Sequence, residues 1–203
     1  MSRLLALCLV ALLAPNIIPA SDWGSKPQAL DDSLRQTPRR IVVHHAGVVW
    51  HPEDEPYQKL RNLQSWGQRV KNWPDLPYHY LITPDGRIFA GRDWRYRPES
   101  NTSYPLDGVI NVQVFGDYEQ QILSLSALQS LVELLIELCR QHAIDPATIV
   151  GHRQAAPGQT TCPGQDLDRY VRGPLRDWVR AGLDQDPAAV RLLPRDWFRA
   201  PGG

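Results

Sequence analysis

The segment "HRQAAPGQTTCPG", His152 to Gly164, sets a histidine ten positions before a cysteine in a run rich in Gly, Pro and Thr. Far upstream, "IVVHHAG" carries His44 and His45. These are nitrogen and sulfur donors, the kinds that zinc accepts. A catalytic zinc site uses three protein ligands and keeps a fourth position for water. His44 or His45, His152 and Cys162 could supply such a trio. Successive side chains on a strand face opposite ways, so one ion readily takes only one of His44 and His45. The residues alone leave that choice open. The competing fate for Cys162 is a disulfide with Cys139, which an oxidising compartment would allow.

The donors need elements to bring them together. Ile41 to Val43 is a compact β-branched run and reads as a buried strand. Leu60, Leu63, Trp66 and Val70 recur at helical spacing within 57–72, and "WPDLP" ends that helix. In "YHYLITPDGRIFAGR" two apolar runs flank Pro84-Asp85-Gly86, a hairpin turn. Residues 93–107 read as a long surface loop, and "GVINVQVFGDY" as a further strand. Ser126 to His142 is the strongest helix, with Leu128, Leu131, Val132, Leu135, Leu138 and Cys139 on one stripe. Ser126 and Gln129 could form its capping box. "ATIVGH" is a short strand, and 167–182 a helix bent near Gly173-Pro174. The expected fold is α/β, a single domain with a central mixed β-sheet flanked by about three helices. Its metal site would lie at the strand ends, where ligands gather in open α/β sheets.

The remaining histidines take ordinary readings. Whichever of His44 and His45 is not the ligand would point into the opposite layer, His51 into solvent, and His79 away from whatever Tyr78 faces. His142, at a helix end, suits the macrodipole as a cation.

Composition narrows the class. The chain has 203 residues, 42% hydrophobic and 22% charged, with zero formal net charge. That is ordinary globular composition, with no basic excess for nucleic acid. The start differs. Arg3 precedes the unbroken apolar run Leu4 to Leu13, and "IPA" precedes Ser21. This reads as a secretory signal peptide over 1–20, cut after Ala20, leaving no stable membrane span. The mature domain would run over 21–183, with a C-terminal extension over 184–203.

The ordered set "SDWGSKP", "IVVHHAG", "WPDLPYHYLITPDGRIFAGR", "GVINVQVFGDYE" and "IVGHRQAAPGQTTCPG" resembles the zinc amidases of the N-acetylmuramoyl-L-alanine amidase type 2 and peptidoglycan recognition protein superfamily. The likeness spans about residues 21 to 182. It implies a Zn²⁺ cofactor held by His44, His152 and Cys162, where other members carry an aspartate at the third place. It implies Tyr78 beside the metal, and Thr160 where many members have lysine. The implied reaction is hydrolysis of the amide joining muramic acid to L-alanine in peptidoglycan or a muropeptide, by an exported periplasmic or secreted enzyme. Tyr78 and Thr160 would stabilise the oxyanion. Asn101 and Tyr104, in a loop where many members have a histidine and this chain has none, would touch substrate. The family also suggests two other functions: a module that binds peptidoglycan without cutting it, and an amidase that recycles soluble anhydromuropeptides.

Overall fold

The computed structural model describes residues 14–184. The apolar run Leu4 to Leu13 and nearly all of the C-terminal extension lie outside the described residues.

Six strands form one mixed sheet: β1 (Ile17–Ile18), β2 (Arg40–His45), β3 (Tyr80–Ile82), β4 (Ile88–Ala90), β5 (Val109–Val114) and β6 (Val150–Gly151). Their order across the sheet is β1-β4-β3-β5-β2-β6. Only β3 and β4 are antiparallel, joined through the turn at Pro84-Asp85-Gly86, as its turn chemistry predicted. Among the described residues five α-helices accompany the sheet, where about three were expected: α1 (Pro56–Val70), α2 (Leu125–His142), α3 (His152–Ala155), α4 (Gln165–Arg172) and α5 (Leu175–Leu183). The stretch expected as one bent helix is two. Gly173 and Pro174 stand between them, and Pro174 has no backbone N–H to continue the first.

Both long helices follow from local sequence. Pro56 opens α1 at the first turn, where its missing N–H costs nothing. Helix α2 begins at Leu125, one residue before the predicted Ser126. Ser124 is its cap, with Oγ accepting from Ala127 N at 3.1 Å, so the Ser126–Gln129 box is not used.

Strand alternation divides the core in two. Ile41, Val43, Val112 and Val114 face α2, where Leu128, Leu131 and Leu135 are buried. Leu81 and Phe89 face the other way, toward Leu60 of α1 and the fully buried Trp23. Each such side chain contributes about 1.5–3 kcal/mol by leaving water. The stretch before β2 is anchored to this layer: Trp23 also donates Nε1–H to Ala90 O at 2.8 Å.

The amino-terminal side of Trp23 is built in as well. Ile17 and Ile18 pair with Ile88 and Phe89, Ile18 and Ala20 pack on the Trp23 cluster, and Ser25 N donates to Ala20 O at 3.0 Å. A chain cut after Ala20 would lose β1. Beginning the chain at Ser21 rather than Pro15 is expected to cost about 2–3 kcal/mol from these contacts, lowering Tm by about 5–10 °C. Equal melting curves for the two chains would show that β1 contributes nothing. No helix among the described residues is long and apolar enough to cross a membrane.

Candidate metal centre

β2 and β6 are parallel neighbours in register, Val42 opposite Val150 and Val43 opposite Gly151. One step further along, His44 is the next-to-last residue of β2 and His152 begins α3, so the same pleat places both imidazoles side by side. Their ring centroids are 4.4 Å apart. Cys162 returns on the following loop, which is held at several points. Arg153 N donates to Cys162 O at 2.7 Å, and Cys162 N donates to Thr160 Oγ1 at 3.1 Å. Gly164 closes the turn at φ 85°, and a Cβ there would lie 2.5 Å from the Tyr118 carbonyl carbon. Only glycine fits this approach.

The result is a compact donor set. One ligand atom from each of His44, His152 and Cys162 lies within 4.8 Å of the others, and all three residues are buried. Cys162 Sγ stands 3.7 Å from His44 Nδ1. Tetrahedral zinc with ordinary Zn–N and Zn–S bonds would separate such a pair by about 3.6 Å. His44 Nε2 is buried without a hydrogen-bond partner among the described residues. Among the described residues Cys139 and Cys162 are both free, so the alternative Cys139–Cys162 disulfide is not formed. The residues fit a divalent cation of zinc's preferences.

Electrostatics agree. Burial, then the neighbouring His152, holds His44 well below the usual histidine range. Burial pushes His152 down to about 4, with His45 adding to it, so both imidazoles are neutral donors at pH 7. Burial also pushes the Cys162 thiol up to about 12, against the pull of the His45 N–H and Arg153. Only a thiolate ligates. A metal must therefore expel one proton, and affinity is expected to rise about tenfold per pH unit between pH 6 and 8. Chelator competition across that range would measure it, and a flat profile would rule out thiolate ligation.

The other predicted residues divide. Tyr78 stands edge-on to His44, ring centroids 5.2 Å apart, and lines a cleft of about 320 Å³ with His44, His152 and Asn101. Thr160 serves the turn before Cys162 through the bond given above. Tyr104 is turned onto His152, with ring centroids 5.4 Å apart and its OH 3.3 Å from Asn111 Oδ1. His45 faces the opposite layer, where Nδ1 accepts from Tyr118 N at 3.2 Å; its own N–H donates to Cys162 Sγ at 3.3 Å. His79 is turned from the cleft, its Nε2 2.9 Å from Tyr96 O and its Nδ1 accepting from Asn111 N. His51 is exposed. His142, in the last turn of α2, packs on Trp94, ring centroids 4.4 Å apart, and burial lowers its pKa.

Some cleft residues carried no sequence signal. Trp66 reads as one more apolar position of α1, yet it is 38% exposed and meets Trp73 edge-on on the cleft wall. Thr102, in the irregular loop, bonds His152. No spacing rule marks a loop hydroxyl that folds onto a ligand.

Comparison with known proteins accords with this geometry. Peptidoglycan-recognition protein SC2 of Drosophila melanogaster is 28% identical over 167 residues, covering 81% of this chain and 89% of that protein. Peptidoglycan recognition protein 1 of Mus musculus is 26% identical over 171 residues, covering 83% and 93%. The crystal structure of Drosophila peptidoglycan recognition protein SD superposes with a TM-score of 0.69 at 26% identity, covering 78% of this chain and 94% of that one. The family model for N-acetylmuramoyl-L-alanine amidase (Amidase_2) matches residues 34–165, which span β2 through Cys162, and the chain belongs to that family.

Proposed function

We propose that this chain is an exported, zinc-dependent N-acetylmuramoyl-L-alanine amidase that hydrolyses the amide between muramic acid and L-alanine of peptidoglycan. The observation that carries this reading is the convergence of His44, His152 and Cys162 on one wall of an aromatic-lined cleft.

His44, His152 and Cys162 would hold the zinc. When bound, it supplies a Lewis acid and a water acidic enough to ionise near pH 7. The chain's own groups do the rest. Burial raises the Tyr78 phenol well above its usual pKa, so its O–H stays a donor at neutral pH. From the cleft wall it can donate to the oxygen that becomes negative as the amide carbon turns tetrahedral. The Thr160 oxygen accepts from Cys162 N, which leaves its own proton free to donate. Leu63, Trp66 and Trp73 give the cleft apolar walls, while Ser100 and Asn101 give it polar partners. Such a lining suits a glycopeptide, whose sugar and alanine faces are apolar and whose amides need hydrogen bonds.

Export rests on the apolar run at 4–13. Because β1 belongs to the sheet, we place the processed amino terminus upstream of Asn16.

The test uses purified sacculi. Release of peptides with a free amino-terminal L-alanine, lost with a chelator and restored by zinc, supports the reading. Binding without release would instead favour recognition alone, as the relatives' names suggest. Release only from soluble anhydromuropeptides would make the chain a recycling enzyme.

A further inference from the structure

The segment Ser100 to Tyr104 makes more contacts with the donor set than a cleft rim requires. Thr102 Oγ1 lies 2.6 Å from His152 Nε2. We propose that Thr102 is a positioning residue for the metal centre: its hydroxyl oxygen accepts the Nε2–H of His152 and so fixes the tautomer whose Nδ1 lone pair faces the ion. This inference rests on the metal centre proposed above.

Three features make the contact a built one. The hydroxyl is itself held, 3.0 Å from Ser100 Oγ, and Thr102 N donates to the same oxygen at 3.1 Å. The next residue is clamped to the ligand-bearing loop: Ser103 N donates to Gln159 Oε1 at 2.8 Å, and Gln159 Nε2 donates to Ser103 O at 3.0 Å. Gln159 lies between His152 and Cys162, so the clamp ties the segment to the loop that carries both. Tyr104 then lies against the His152 ring. The imidazole is thus held at Nε2 and flanked by the Tyr104 ring.

The chemistry follows from the two nitrogens. A neutral imidazole has one N–H and one lone pair, and the hydrogen bond at one nitrogen decides which is offered at the other. A hydroxyl 2.6 Å from Nε2 occupies the place an ion on that nitrogen would need. Nδ1 is left for the metal, and Thr102 does what a carboxylate or carbonyl does behind other metal-bound histidines. Losing such a partner typically weakens metal affinity about 10–100-fold.

The test measures zinc affinity of the full chain by competition with a chromophoric chelator, and the visible absorption of the Co²⁺-loaded protein. Thr102→Val keeps the shape and removes the hydroxyl. It is expected to weaken zinc by about 10–100-fold and alter the cobalt bands, whereas Thr102→Ser stays within about threefold of wild type. Gln159→Ala, which frees the clamp without touching His152, should shift affinity the same way by a smaller factor. Unchanged or tighter zinc in Thr102→Val overturns the inference, because the hydroxyl would then be a competitor for the ion's place. Thr102→Ser as weak as Thr102→Val overturns it too, since packing would then be the cause. A wild-type chain that takes up no metal overturns the metal centre itself, and this inference with it.

Discussion

Cys162→Ala should yield a folded protein that binds zinc over a hundredfold more weakly and releases little or no peptide from peptidoglycan. The side chain removed is small and makes weak contacts with its surroundings, a 3.3 Å bond from His45 N and a 3.9 Å approach to His45 O. Its loss to the metal is large. Zinc in a four-ligand protein site is bound by about 10–16 kcal/mol, so one ligand carries roughly 3 kcal/mol, over a hundredfold in affinity. Metal analysis and a melting curve on the same sample separate the two effects. Cys139→Ala is the control, because Cys139 is buried on the α2 side of the sheet and should leave zinc content unchanged. Cys162→Asp is expected to recover part of the metal, since a carboxylate oxygen also ligates zinc. Full zinc and full hydrolysis in Cys162→Ala would refute the assigned donor set and the amidase reading with it.

The second large effect is expected at Tyr78. Tyr78→Phe removes one hydroxyl from the cleft wall and keeps the ring against His44. Its zinc content and stability should match wild type. If the O–H donates only when the carbonyl oxygen becomes negative, kcat falls about 10²–10³-fold while KM stays constant. A rise in KM at constant kcat would mean that the hydroxyl binds substrate in its ground state. A kcat within about threefold of wild type would remove Tyr78 from the chemistry.

Tyr78 and His79 show how far pattern reasoning reached. Strand parity separated them, and the structure has one on the cleft and the other bonded to Tyr96 O and Asn111 N. The same alternation distinguished His44 from His45, but only as a pair: the residues could not say which faced the ion. Resemblance to the family favoured His44, and the register of β2 on β6 gives the physical reason, because it sets His44 beside His152. Helix α2 was legible from its stripe, while its cap was displaced by two residues. Ser124 reaches Ala127 N and also donates to the Pro84 carbonyl of the hairpin turn, a tertiary contact outside local pattern.

By itself, then, the sequence determined the donor types, the strand–helix alternation and the family, because these depend on residue identity and on periods of two and 3.6. Tertiary structure decided the rest. It built Ile17 and Ile18 into the sheet, exposed Trp66 to a cleft, set Tyr104 beside the His152 ring, and laid the Thr102 hydroxyl on that ring. Each of these depends on where a loop or chain end returns across the sheet. Contacts made by residues far apart along the chain have no period for a sequence to display.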